Sequence, residues 1–467
     1  GKIPSSAVDI KVVKCWYQDE DGRRLVPELL LNDDSLVKVD EEAKISRIKF
    51  KVGEETKYLC YDDAEWADFT KGKIKVANDA GRLLPVDIPA GTSKQFWVTV
   101  RVPEEARAGT YQGKLCLISG GKSLAEMNLS LQVLPFKLSL PYYQVSIWGG
   151  TDRNEARYIN IVKNQLAHGV TVPFHSLSGG SDRLVQLEKT LKIWRDLGVT
   201  TDVWMAPGEL VYSLLAGGKS HKGLTRIEVT EEQKKRYQEE FQKYAELGKK
   251  YGMKEIYFYL ADERDAAELE AWLPVFEIVR AAGGKVMNGT NIGKTFEITG
   301  GKIDIFGCST GVSRREADKW HSVGTKIWSV WNPRGGVEDF ELNRRRHGLY
   351  LWQATYDGVT EYLYSLDQGW AEAVSTKAGV ASDGIWNMVY LTADGAIDTV
   401  EWEGYREGVD DVRYVTTLTN LIKEVKQTGK KKQEVAAAER FLEGIDVEDG
   451  DLDSIRRGVI EHILRLR

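Results

Sequence analysis

Cysteine and histidine are scarce, at 4 and 6 residues in a chain of 467, and methionine adds only 5. Cys15, Cys60, Cys116 and Cys308 are scattered, with no C-x-x-C and no histidine at zinc-ligand spacing. That excludes a disulfide framework and a structural zinc site, and predicts free, mostly buried thiols. An excess of one charge is lacking too: 64 Lys and Arg face 70 Asp and Glu, a formal net charge of −6. A protein that coats a polyanion needs more than that, so no nucleic-acid partner is expected. No run approaches the roughly 18 apolar residues of a membrane span. Gly1 to Ala7 lack the charged start and apolar stretch of a signal peptide. The compartment stays open, with a secreted or periplasmic location favoured if residues have been trimmed ahead of Gly1. The P-loop pattern G-x-x-x-x-G-K-[ST], the dinucleotide pattern G-x-G-x-x-G and the zincin pattern H-E-x-x-H are absent. Nucleotide and zinc-protease chemistry lose support, and no cofactor or metal is expected.

What the chain has instead is rings, 14 Trp and 20 Tyr, which are flat, amphipathic and suited both to cores and to the apolar faces of sugars. Its length suits about three domains at roughly 150 residues each. From Val8 to Leu138, short alternating runs such as Val8, Ile10 and Val12, or Leu129, Leu131 and Val133, are separated by turns at Asp21-Gly22 and Gly120-Gly121. This is the pattern of an antiparallel β-sandwich, assigned to residues 1–139 and ended by Pro135 and Pro141.

Beyond Pro141, short β-branched or aromatic runs alternate with amphipathic stretches. Candidate strands are Gln144 to Trp148, Val170 to Phe174, Asp202 to Met205, Ile256 to Leu260, Lys285 to Asn288, Ile303 to Gly307, Lys326 to Val330 and Val359 to Tyr364. Helices are expected at Glu155 to Ala167, Leu184 to Leu197, Glu231 to Tyr251 and Ala266 to Ala282. An eightfold βα repeat predicts a TIM (β/α)8 barrel over residues 140–400, with its site at the C-terminal strand ends. Residues 401–467 read as a C-terminal helical region, with Leu452, Ile455, Val459, Ile463 and Leu466 on one face. The run Lys430 to Lys432 reads as a solvated loop or helix start. The fold class is thus multi-domain α/β.

Among the eight strand ends one stands out: Tyr257-Phe258-Tyr259-Leu260-Ala261-Asp262-Glu263-Arg264. Acids here can merely offset the dipole of the helix starting near Ala266. At a barrel mouth lined by rings, a carboxyl is instead desolvated, its pKa rises, and it becomes a general acid near neutral pH. Adjacent strand residues face opposite ways, so both acids share a pocket only if the chain bends at Asp262. Glycoside cleavage usually takes a second carboxyl from another strand. The seventh window, Lys326 to Asn332, contains none. That favours a reaction in which the substrate's 2-acetamido group is the nucleophile.

Asp262-Glu263 after the fourth strand, the sandwich ahead of the barrel, and Arg346-His347-Gly348 through Trp352 and Asp357-Gly358 to Trp370 resemble glycoside hydrolase family 123 and the wider domain family that shares its barrel. Arg406-Glu407-Gly408-Val409-Asp410-Asp411 resembles that group's closing helix. The resemblance spans about residues 90 to 425. It implies a β-N-acetylgalactosaminidase that retains configuration through an oxazoline, with Glu263 as general acid/base and Asp262 orienting the acetamido nitrogen.

Expected substrate contacts are Trp148, His175, Trp204, Asn288, Trp328, Trp331, Tyr364 and Trp370, all near strand ends. Each ring also suits a core, His175 a loop hydrogen bond, and Asn288-Gly289 a turn. Arg344-Arg345-Arg346 reads as a charged helix face or a contact for an anionic sugar. The partner implied is a glycan or glycoconjugate. Two alternatives remain: a two-carboxylate glycosidase with Asp152, Glu209, Glu361 or Asp367 as second acid, and a non-catalytic carbohydrate binder using sandwich rings such as Trp16 or Trp97.

Overall fold

A computed structural model describes residues 2–467 apart from 19–23, 153, 174–182, 207, 217–225, 290–292, 331–338, 366–368 and 371–386. Eight parallel strands form one sheet: Gln144–Ile147, Val172–Pro173, Val203–Ala206, Glu255–Tyr259, Lys285–Asn288, Ile305–Cys308, Lys326–Ser329 and Gly358–Glu361. Each overlaps its expected window. They are neighbours in the order second, first, eighth, seventh, sixth, fifth, fourth, third, and the ring closes where the second strand lies beside the third. Pro173, with no N–H to donate, sits at that seam, where a barrel tolerates it. The helices Glu155–Ala167, Arg183–Asp196, Glu231–Lys250 and Ala266–Ala281 match their expected spans to within a residue or two.

Side-chain alternation divides the strands into two cores. Val172, Val203, Met205, Tyr257, Met287, Ile305 and Trp328 fill the barrel, with half-buried Tyr259 and Val330 against them. Gly358 leaves the room Trp328 needs, since a Cβ there would lie 2.4 Å from the indole. Val145, Ile147, Trp204, Phe258, Val286, Phe306, Ile327 and Val359 face outward onto the helices.

The N-terminal region is antiparallel β, as expected, in separate sheets. Val8–Gln18 is flanked by Arg24–Leu31 and Phe96–Val100. A second sheet pairs Val37–Asp40, Ile45–Val52, Glu55–Leu59 and Lys75–Val76. Residues of both share one core, including Val12, Trp16, Leu31, Ile48, Phe50 and Val76. Gly109–Ser119 and Lys122–Val133 form their own two-stranded hairpin. The thiols divide evenly: Cys60 and Cys308 are buried, while Cys15 and Cys116 are exposed, contrary to the mostly buried expectation.

The helix Val400–Thr428 closes the barrel. The Thr399 hydroxyl caps its start by accepting from the Trp402 N–H, and left-handed Gly429 ends it. Two short N-x-x-x-H-G segments dock on it, Asn164 to Gly169 and Asn343 to Gly348. In each, the histidine Nδ1 donates to the asparagine carbonyl four residues back, at 2.8 Å for His168 and 2.9 Å for His347. Their rings pack on Trp402 and Tyr405 respectively. The glycines permit the approach, because a Cβ on Gly169 would lie 2.8 Å from Val409 and one on Gly348 2.8 Å from the Gly408 Cα. Arg344 and Arg345 are buried here and form neither a solvated face nor a substrate contact. Arg344 binds Asp411 at 2.7 Å and Asp453 at 2.7 Å, and Arg345 donates to the carbonyls of Val447 and Gly450. The final helix Leu452–Leu466 buries Leu452, Val459, Ile463 and Leu466 against the barrel-side core.

Gly408→Ala tests this packing. Alanine favours a helix over glycine by about 1 kcal/mol, but a Cβ there would lie 2.5 Å from the Arg344 carbonyl and 3.1 Å from the Gly348 nitrogen. Overpacking of this kind costs about 1–3 kcal/mol. The urea midpoint is therefore expected to fall; a higher midpoint would show that the contact yields freely.

Candidate active site

The fourth barrel strand, Glu255–Tyr259, places Tyr257 and Tyr259 toward the barrel axis and hands the chain to the Asp262-Glu263 loop. There it leaves β geometry as the acid pair requires: Ala261 and Glu263 both adopt left-handed conformations, at φ 55° and 48°. Such conformations are disfavoured for residues with a Cβ and persist only where the surroundings impose them. The fifth strand imposes them here. Leu260 N–H donates to the Met287 carbonyl at 2.9 Å, and Glu263 N–H donates to the Gly289 carbonyl at 3.0 Å, so Ala261 and Asp262 bulge out between two ladder contacts.

The helix-dipole role falls to other acids. Asp265 is the N-cap of Ala266–Ala281, and Glu268 completes a reciprocal capping box with it. Asp262 and Glu263 lie outside that helix and are exposed. Asp262 accepts a hydrogen bond of 2.7 Å from the Tyr259 hydroxyl. Although Asp262 is exposed as a residue, the protein packed around its carboxyl partly desolvates it and raises it above the ordinary aspartate value; the Tyr259 hydrogen bond and the Arg264 charge pull it down without cancelling the rise, to which Glu263 adds. Burial and the Asp262 charge likewise push the Tyr259 phenol far upward. Tyr212, which donates to the Tyr259 carbonyl at 3.3 Å, is pushed up to about 12 by burial and by Asp262. Trp148, half-buried after the first strand, meets the Tyr259 ring edge-on with centroids 4.7 Å apart. Trp148, Tyr259 and Asp262 thus form one aromatic and acidic patch.

The remaining candidate contacts separate. Asn288 ends the fifth strand fully buried, and its side-chain nitrogen donates to the Leu260 and Ala261 carbonyls. Trp204 faces outward, stacked on Tyr244. Trp328 lies inside the barrel wall. Tyr364 is buried and donates to Asn164 at 3.0 Å. Trp370 packs edge-on against Trp16 at 5.6 Å, in the core of the N-terminal sheets. His175, Trp331 and Asp367 lie outside the described residues.

Of the reserve acids, Asp152 is paired with Arg157 at 2.8 Å. Glu361 points away from the barrel axis, fully buried against His347 Nε2 at 2.7 Å. Glu209 opens the helix Glu209–Leu215 after the third strand and remains near the mouth. Among the described residues, His168, Asp398 and Glu403 bring ligand-type atoms within 4.8 Å of one another. Lys11 Nζ at 2.7 Å from Asp398 and Arg406 at 2.7 Å from Glu403 already balance both carboxylates, which makes this an ionic junction between the N-terminal sheet and the closing helix.

Two features are missed in the sequence, one a tertiary contact and one a local spacing. Tyr259 is the immediate partner of Asp262; its period-two spacing from Tyr257 is the signal that would have found it. Gly307-Cys308-Ser309-Thr310-Gly311 carries the G-x-S-x-G spacing at the sixth strand end. Ser309 lacks the left-handed strain of a nucleophile elbow, and Arg314–His321 is the next helix, so the run is not an esterase turn.

No family model and no curated protein matches the chain. Among solved structures it is similar to a family 39 glycoside hydrolase from the gut symbiont Bacteroides cellulosilyticus WH2, 10% identical over 72% of this chain and 74% of that one, with a TM-score of 0.39. It is also similar to a family 30 subfamily 8 xylanase from Clostridium acetobutylicum, 11% identical over 49% and 65% with a TM-score of 0.34. A third is a dihydrodipicolinate synthase from Thermotoga maritima, 13% identical over 70% and 100% with a TM-score of 0.29. Glycosidases and a synthase stand side by side at this level of overlap, so the chemistry rests on the site residues alone.

Proposed function

We propose that this protein is a glycoside hydrolase that cleaves a β-linked N-acetylhexosamine of the N-acetylgalactosamine type with retention, using the substrate's acetamido group as nucleophile. The observation that carries the reading is that the acid pair is not spent on the helix start: Asp265 and Glu268 cap that helix, while Asp262 and Glu263 stand exposed on a bend hydrogen-bonded to the neighbouring strand. A bend in which Ala261 and Glu263 are both left-handed, at a barrel's strand ends, is the pattern of a functional site.

In this reading Glu263 protonates the leaving glycosidic oxygen as the acetamido oxygen attacks C1, the C1–O bond breaks, and an oxazolinium ring forms. Asp262 accepts the acetamido N–H, and its charge offsets the positive charge growing on that ring. Tyr259 holds Asp262 in place from the barrel axis, and the Trp148 ring offers an apolar face for the sugar. Water then attacks C1 from the face the leaving group vacated, the C1–O bond of the oxazolinium breaks to return the acetamido group, and the water's proton passes to Glu263.

A matched pair of chromogenic substrates tests this. The β-N-acetylgalactosaminide is expected to turn over and the β-galactoside, which lacks the nucleophile, to stay intact. Equal turnover of both would overturn substrate assistance and move the second carboxylate to Glu209, the reserve acid left near the mouth.

A further inference from the structure

We infer that Asn288 is a positioning residue that sets the acid bend and acts on the reaction through Asp262 and Glu263 without touching the sugar. It sits at the last position of the fifth strand with none of its surface open to solvent. Its one side-chain nitrogen donates twice, at 2.9 Å to the Leu260 carbonyl and at 2.9 Å to the Ala261 carbonyl. These carbonyls belong to the residues at which the backbone ladder is interrupted, between the Leu260 and Glu263 contacts to Met287 and Gly289. The carboxamide therefore replaces the strand pairing that the bulge gives up, and holds Ala261 in its left-handed conformation.

The amide orientation follows from its partners, because the opposite flip would set an oxygen against two carbonyl oxygens. In the orientation that results, Asn288 Oδ1 is buried without a hydrogen-bond partner among the described residues. A buried acceptor left unmatched is unfavourable, so the double donation on the other side is what keeps the side chain in place. Few side chains offer two N–H groups on one atom at this reach. Serine has one donor, and aspartate has none until it is protonated. Next along the strand, Gly289 leaves the space into which the Tyr259 hydroxyl projects toward Asp262; a Cβ there would lie 2.3 Å from that oxygen. Strand five thus shapes the bend at both of its ends.

The effect on turnover rests on the glycosidase reading above, and the experiment separates the two. Asn288→Ala is expected to lower kcat by about 10²-fold with KM little changed, as misplacement of reacting groups by about an ångström does. Asn288→Asp puts an acceptor-only carboxylate against two carbonyls at neutral pH; once protonated, it donates one O–H. Its activity is therefore expected to recover toward acid pH relative to the wild type, whereas the alanine variant shows no such recovery. Thermal unfolding confirms that each variant is folded, with Asn288→Ser replacing any that is not. Independently of turnover, the Asp262 carboxyl, assigned with Asp262→Asn, is titrated by carbon-13 NMR in wild type and Asn288→Ala, and a displaced titration is expected. Wild-type kcat in Asn288→Ala, an aspartate variant with no acid recovery, or an unmoved Asp262 titration would each overturn the inference. If Glu263→Gln retains full turnover, the catalytic reading fails, and the Asp262 titration still decides whether Asn288 holds the bend.

Discussion

Glu263→Gln is expected to lower hydrolysis of a β-N-acetylgalactosaminide by about 10²–10⁴-fold, the usual worth of a positioned general acid. Glu263 is exposed and its backbone N–H keeps its bond to Gly289, so the fold has no reason to change. The size of the loss depends on the leaving group. A nitrophenolate departs without a proton and conceals part of the defect, whereas an alkyl or sugar alcohol needs the proton and shows all of it. Asp262→Asn, by contrast, is expected to slow both kinds of substrate, because formation of the oxazolinium needs the charge on Asp262 whichever group leaves. Turnover by Glu263→Gln at the wild-type rate, with the poorer leaving group, would remove Glu263 from the reaction.

The second large effect is on stability. His347 and Glu361 form a buried pair at 2.7 Å, with side chains 2% and 1% exposed. His347 Nδ1 donates to the Asn343 carbonyl, so one proton is shared between Nε2 and the Glu361 carboxyl. Burial raises Glu361 above the ordinary glutamate value, and His347 is the chief group opposing that rise. His347→Ala removes the partner and leaves the acid enclosed with Tyr405 beside it, as well as a void where the imidazole lay. Breaking a buried pair from one side costs about 3–5 kcal/mol, read as a lower urea midpoint.

The loss has a pH signature. With the folded-state Glu361 raised above its unfolded value, the native chain holds more protons than the unfolded chain at pH values between the two. The contribution of Glu361 is therefore most favourable below the unfolded glutamate value and declines as pH rises through the folded one. That slope is expected to steepen in His347→Ala and to vanish in the double variant with Glu361→Gln. A destabilisation with the same size at every pH would show that the void alone accounts for it.

Much of the barrel was legible in the chain. Parallel strands buried on both faces are short, apolar and punctuated, and the helices between them carry a 3.6-residue period, so both leave local marks. The acid bend was legible for a stereochemical reason: two adjacent acids on a regular strand cannot share one pocket. The capping acids Asp265 and Glu268 were not separated from Asp262 and Glu263, because four acids within seven residues look alike until the N-cap is located.

The rings were the least legible. A Trp at a strand end suits a core and a sugar equally well, and the choice is made by residues far away in sequence. Trp370 packs on Trp16 because the N-terminal sheets pack onto the segment between the eighth strand and the closing helix. Trp204 turns outward because one step along a strand reverses the side chain. Among the described candidate rings, Trp148 alone meets Tyr259, the partner of Asp262, and it is placed there by the closure of the barrel. Neighbours a few residues apart set where the eight barrel strands and the four long helices between them form, and which two acids leave the strand, so these could be read from the chain. That Trp148 meets Tyr259 and that Asn288 braces the bend came from contacts between strands distant in sequence, which lie side by side through the closure of the barrel.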